Sequence, residues 1–167
     1  MQLGAHFMLT RTQAAPLLAA RGDDNTLSDI IEALEEGDKP KRYDTDKAWD
    51  VLSCALAPSG SERDADDWPW TGVILGAEEL QERDEDGGCE MTVAITPPEL
   101  VREVADALDE LDEEMWAEAY AAMPDELRNP GYGPQEQAYA AAYIPGLREF
   151  WRQAAETGCY VVFHVDG

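Results

Sequence analysis

Apolar residues fall into two kinds of run along this chain. Three short runs read as strands: Leu3 to Leu9, Met91 to Thr96 and Cys159 to Val165. Each is a compact apolar or β-branched stretch next to turn signals. The last is apolar almost without a break, which suits a strand covered by protein and places it at or near the centre of a sheet. Between these runs, apolar residues recur every three or four positions, the spacing of a helix with one buried face. Leu27, Ile30, Ile31 and Leu34 form one such stripe, closed by Gly37. Ala48, Trp49, Leu52, Ala55 and Leu56 form a second, stopped by Pro58 and Gly60, and the stripe makes Trp49 a core residue. Leu100, Val101, Val104, Ala105, Leu108 and Leu111 form a third, which Met115, Trp116, Ala119 and Tyr120 prolong. Tyr139, Tyr143, Leu147, Phe150, Trp151 and Ala154 form the last, with Gly158 as its C-cap.

Polar residues at the ends of these stripes supply caps. Thr10 or Thr12 can start a short helix through Ala14, Leu17 and Leu18, with Pro16 in its first turn. Asp44 or Thr45 can cap the helix that carries Trp49. Thr96, with Pro97 or Pro98 next and Glu99 three residues on, has the form of a capping box. Pro145 should bend or divide the last helix. Thr71 to Leu75 is a compact apolar segment closed by Gly76. Segments 38–42, 59–69, 82–88 and 124–134 read as loops. Helices outnumber strands, and strands lie at both ends. The pattern predicts a single compact α+β domain over residues 1–167, a small mixed sheet that includes both terminal strands, packed by several helices.

Charge changes this picture. The 167 residues hold 36 Asp and Glu against 12 Lys and Arg, a net charge of -24. Aromatics punctuate the chain from Phe7 to Phe163 and 44% of residues are hydrophobic, so this is a folded domain with a negative surface and not an acidic tail. Such a surface repels nucleic acid and anionic membranes and attracts cations and basic proteins, while also serving plain solubility. Cys54, Cys89 and Cys159 form no C-x-x-C pair, and Cys159 in its apolar run acts as a small buried hydrophobe. No apolar run approaches the length of a membrane span, and the first residues lack the pattern of a signal peptide. These features lead to the expectation of a cytoplasmic, reduced protein.

Several segments, in their order along the chain, resemble the YfbM-like family of small bacterial proteins, a domain of unknown function. They are Tyr43-Asp44-Thr45-Asp46-Lys47-Ala48-Trp49-Asp50-Val51-Leu52, Thr71-Gly72-Val73-Ile74-Leu75-Gly76, Pro98-Glu99-Leu100-Val101, and Leu147-Arg148-Glu149-Phe150-Trp151 followed by Ala154-Ala155-Glu156-Thr157-Gly158 and a strand. The chain departs from that family in its extra acid and in its long Ser59 to Trp68 segment. The resemblance implies an α+β fold and one domain. It implies no established activity, although an immunity-type role beside bacterial toxins is a hint it carries.

Candidate chemistry is sparse. If a helix starts near Thr45, Asp46 and Asp50 lie one turn apart on one face, with Lys47 beside Asp50 and Tyr43 close by. Asp44, Asp46 and Asp50 could then hold a Mg2+ ion or divide acid and base roles. Helix capping explains the same residues without any activity. Asp44-Thr45-Asp46 matches the Asp-x-Asp of haloacid-dehalogenase-like phosphatases only in residue type, because a basic stretch and not a buried strand precedes it. Asp84 to Gly88 lacks the ligand spacing of a calcium loop and reads as a turn. Trp68 and Trp70, after Asp64, Asp66 and Asp67, can cage a cationic ligand or close over a core edge. His6 and His164 lie in the two terminal strands, so pairing of those strands could bring them together as a metal or acid-base pair.

Two functions compete. One is a non-enzymatic binding protein that offers its acidic surface to a basic protein partner. The other is a metal-dependent hydrolase, acting on small phosphoesters, built on the Asp44 to Asp50 segment. Lys39, Lys41, Arg42 and Lys47 would then supply the positive charge that phosphate chemistry needs.

Overall fold

The computed structural model describes residues 2–37, 41–58, 67–86, 88–128 and 135–166. Most of the expected 59–69 loop, with Asp64 and Asp66, therefore lies outside the described residues. So do Lys39 in the basic stretch, Gly87 in the acidic turn and the end of the 124–134 loop.

Strand β1 (Gly4–Leu9) leads into α1 (Arg11–Ala19) and α2 (Asp24–Glu36). Thr10 caps α1 as its sequence suggests: its side chain accepts from the Gln13 amide, and the Gln13 side chain accepts from the Thr10 amide. Strand β2 (Arg42–Asp46) runs directly into α3 (Ala48–Leu56). Then come α4 (Trp70–Leu75), the two-residue β3 (Glu78–Glu79) and β4 (Met91–Thr96). Helices α5 (Pro98–Glu110), α6 (Glu113–Ala122), α7 (Glu136–Ala141) and α8 (Ile144–Thr157) follow, and β5 (Tyr160–Asp166) completes the sheet. Gly158 ends α8 in the left-handed conformation, φ 67°, that glycine adopts without strain. Pro145 sits in the first turn of α8, just after the break that separates it from α7.

The strand order is β2-β1-β5-β4-β3, and every neighbouring pair is antiparallel. The sheet is therefore antiparallel throughout, not mixed, because no helix crosses over between neighbouring strands in the parallel sense. Strand β5 is central, as its nearly unbroken apolar run suggests. Its residues divide between two cores: Val161, Phe163 and Val165 face one side and Val162 the other. Helices α1 and α2 cover the second side through Leu17, Leu27 and Ile31. Helices α3 to α8 cover the first, with Leu52, Val104, Leu147 and the fully buried Trp151 at its centre. Two-sided cover explains why β1 is buried along its whole length and reads as a run and not an alternation.

Three local expectations are corrected. Asp44 and Thr45 do not cap a helix, because they belong to β2; an edge strand with alternating charge hides its β character. Thr96 forms no capping box: Pro97 takes the cap position of α5, and the Thr96 hydroxyl accepts from the Ala77 amide at 3.1 Å. Trp49 is half-buried, not fully in the core. Its ring lies 5.8 Å from that of Phe163, and its Nε1 donates to the Gln2 carbonyl at the surface.

Candidate functional site

The Asp44 to Asp50 segment spans a strand, a kink and a helix start, and these send its carboxylates apart. Asp44 pairs across to Ala5, on the side covered by α1 and α2. It is exposed and held by Arg42, whose Nε lies 2.6 Å from its Oδ1. The pairing slips between Gly4 and Ala5, and Asp46 stands just past this irregularity with φ 49°, a left-handed backbone that Asp tolerates. Thr45 at the slip is fully buried and donates to the Gly4 carbonyl. Lys47 occupies the position before α3 without a side-chain bond to the helix. Asp46 and Asp50 are thus not one helical turn apart.

Asp50 meets different company. It accepts a hydrogen bond from the Cys54 thiol one turn along α3, and the buried Glu136 of α7 is close enough to act on both groups. Desolvation raises the Asp50 carboxyl above its usual range, the thiol bond opposes this and the Glu136 charge reinforces it. The same corner pushes the Cys54 thiol up to about 11, through desolvation first and then the Asp50 charge, so the thiol is unreactive at neutral pH. Glu136 itself accepts from the Tyr120 hydroxyl at 2.9 Å. The signal for this corner was Asp50 at four residues from Cys54; its long-range member, Glu136, had none. Among the described residues, no group of three or more His, Cys, Asp or Glu side chains is arranged to hold a metal ion.

The histidines do not form a pair, although their strands do. His6 stands opposite Phe163, and His164 stands opposite Ala5, so one register step puts them on opposite faces of the sheet. His6 is fully buried among Phe150, Trp151 and Phe163. One ring nitrogen lies 3.2 Å from the Val73 carbonyl, and desolvation lowers its pKa to about 4. His164 lies between the Thr92 carbonyl, 3.1 Å from Nδ1, and the Asp166 carboxylate, 3.1 Å from Nε2. Tyr43 is likewise structural: its hydroxyl donates to the Tyr143 carbonyl. Trp68 packs on Gly72, where an added Cβ would fall 2.6 Å from its ring.

Trp70 has a different setting. With Leu56, Leu111 and Met115 it lines a cleft of about 340 Å³, bordered by Glu118 and Ala119 of α6. A second cleft, about 460 Å³, opens on the other side of the α6 start and shares Leu111 with the first. The buried Leu111, Trp116 and Ile144 form its floor, and the exposed Asp109, Asp112 and Glu113 stand around it. Arg148, also in its wall, is turned to the backbone: it donates to the carbonyls of Leu108 and Leu111 at the end of α5. Trp116 has its polar atom engaged too, through Nε1 to the Gln137 carbonyl, and so offers only apolar surface. Both volumes are in the range of small binding sites. The signal for this site was present in the sequence as charge: residues 98–122 hold nine Asp and Glu and one Arg. No helix among the described residues is long and apolar enough to cross a membrane.

Comparison with known proteins agrees with the resemblance read from the sequence. A family model described as a domain of unknown function, DUF1877, matches residues 2–164. Among solved structures, the fold is similar to that of YfbM from Escherichia coli, a protein of unknown function, with a TM-score of 0.69 at 17% identity, covering 98% of this chain and 99% of that one. No functionally curated protein matches the chain significantly. The chain belongs to the DUF1877 family.

Proposed function

We propose that this DUF1877 protein is a non-enzymatic binding protein whose acidic surface takes up a basic protein partner. The observation that carries this reading is how its few cations are used. Arg21 pairs with Glu78, Arg42 with Asp44, Arg83 with Glu79, Arg128 with Asp125 and Arg152 with Glu149. Arg148 serves backbone carbonyls. Six of the 12 Lys and Arg are thus committed internally, and the 36 carboxylates outnumber all the cations threefold. Part of this excess lies on α5 and α6, which hold eight Asp and Glu against one Arg, beside two apolar clefts. Negative potential of this kind accelerates encounter with a basic protein, and apolar surface is needed to retain it.

The hydrolase alternative gains nothing from the geometry. Asp44 and Asp46 lie on β2, separated by the slip in pairing, Asp50 lies on α3, and Arg42 is already paired with Asp44.

Titration with a fluorescein-labelled octa-lysine peptide at 20 mM salt tests the reading. The expected result is saturation at one peptide per protein, with affinity falling as salt rises. Uptake of several peptides in proportion to charge would mean that the acidity serves solubility alone.

A further inference from the structure

We infer that the two clefts beside the start of α6 are one docking site for a basic segment of a partner chain, and that the segment inserts one apolar side chain into each cleft. This rests on the proposed partner binding and assigns it a location and a partner chemistry.

Leu111 belongs to both clefts, and the first turns of α6 form the ridge between them. Met115 and Ala119 point to one side of that ridge, and Glu113 and Trp116 to the other. A chain crossing the ridge meets apolar surface on each side, Trp70 and Met115 first, Trp116 and Ile144 next. The exposed carboxylates Asp109, Asp112, Glu113 and Glu118 stand where such a chain would pass.

Charge selects the occupant. Among the described residues, Arg148 is the one cation in the lining of either cleft, and its guanidinium is held by two carbonyls. An acidic or neutral segment would face these carboxylates with no counter-charge. A purely cationic segment would satisfy the rim and leave both apolar floors in water. A segment with lysines around two apolar residues satisfies both. Each apolar side chain that leaves water adds affinity in proportion to its buried area. Complementary charge sets the approach and rejects wrong partners.

The test compares two labelled peptides by fluorescence anisotropy at 150 mM salt: octa-lysine, and Lys-Lys-Leu-Lys-Lys-Trp-Lys-Lys. Charge alone ranks octa-lysine first, because it carries two more cations. The inference reverses that order, with the anchored peptide about tenfold tighter, a conservative share of what two buried side chains contribute. Ala141→Phe and Ala119→Phe, each filling one cleft without changing charge, should remove the advantage and leave octa-lysine binding as it was. If either variant fails to fold, Asp109→Asn with Glu113→Gln, both at exposed positions, should weaken the anchored peptide. In methyl-labelled wild-type protein, the Met115 resonance should shift on binding while that of the buried Met91, across the sheet, stays in place. If the anchored peptide ranks below octa-lysine, or the filled clefts bind it as well as the wild type, the docking site is wrong and the general acidic reading survives. If neither peptide binds, that reading falls as well.

Discussion

The Tyr43 hydroxyl donates to the Tyr143 carbonyl at 2.8 Å, and the Tyr43 ring fills the space that a side chain at Gly146 would need. An added Cβ at Gly146 would fall 2.5 Å from the Tyr43 oxygen. Gly146 lies inside α8, where alanine is the better helix former by about 1 kcal/mol. Helix propensity and packing therefore predict opposite signs. Packing should win, since overfilling a tight site costs about 1–3 kcal/mol. Gly146→Ala is expected to lower stability in urea unfolding, and Tyr43→Ala in the same chain should make the alanine at 146 harmless. A stabilised Gly146→Ala would show that β2 and α8 are not seated as described.

His6 makes the fold sensitive to acid in a definite window. Its folded pKa of about 4 lies below the value near 6.5 of an unfolded histidine. The unfolded chain therefore binds the proton first as pH falls, and the neutral buried ring loses ground between pH 6.5 and 4. Between pH 7 and pH 5 the loss is about 2 kcal/mol. Other carboxylates shift stability over the same range, so the measurement is a difference. Urea midpoints of wild type and His6→Phe, taken at pH 7 and 5, should diverge, with the variant losing less.

The Asp50, Cys54 and Glu136 corner can be read through the thiol. With the Cys54 pKa pushed up to about 11, iodoacetamide at pH 8 should label Cys54 far more slowly than in the unfolded chain. Asp50→Asn removes the second cause of that shift while leaving desolvation in place. Labelling should then speed up severalfold and not reach the unfolded rate. Mass spectrometry of the Cys54 peptide follows it directly. An unchanged rate would separate Asp50 from the thiol.

Arg148 closes the end of α5, where the last carbonyls have no helical partner. Hydrogen bonds from a charged donor contribute about 1.5–3 kcal/mol. Arg148→Met keeps the apolar stem and loses the fork, and should cost about 2 kcal/mol in denaturant unfolding. Arg148→Lys should recover less than half, since one ammonium cannot serve two carbonyls in fixed directions.

The elements that rest on local chemistry were legible in the sequence. Thr10 and Gln13 are three residues apart and find each other in the fold; so do Gly158 and the carbonyls at the end of α8. The Val161 to Val165 run, apolar but for His164, correctly marks the sheet centre. What escaped was decided at a distance. Arg42 to Asp46 carries three charged residues and becomes a strand only because β1 pairs with it. Thr96 is a good cap by spacing, but the Ala77 amide from the preceding turn claims its hydroxyl. The histidine pair failed by one register step, a quantity that no single strand contains. Of the candidate site residues, Trp70 lines a cleft; the cleft walls come from α3, α4 and α6 and required the packing itself.

The central place of β5 bears on how this protein is made. Ala5 pairs with His164, so the first strand waits for a partner that lies more than 150 residues further along the chain. While the ribosome works through that interval, β1 has only the charged β2 beside it, and Phe7 and Leu9 lack the strand they pack on. Closure over such a span is slow and leaves apolar edges open to other chains. The nascent protein is therefore exposed until synthesis reaches residue 160. Over that interval like charge opposes contact between neighbouring nascent copies, since the chain carries a net charge of -24.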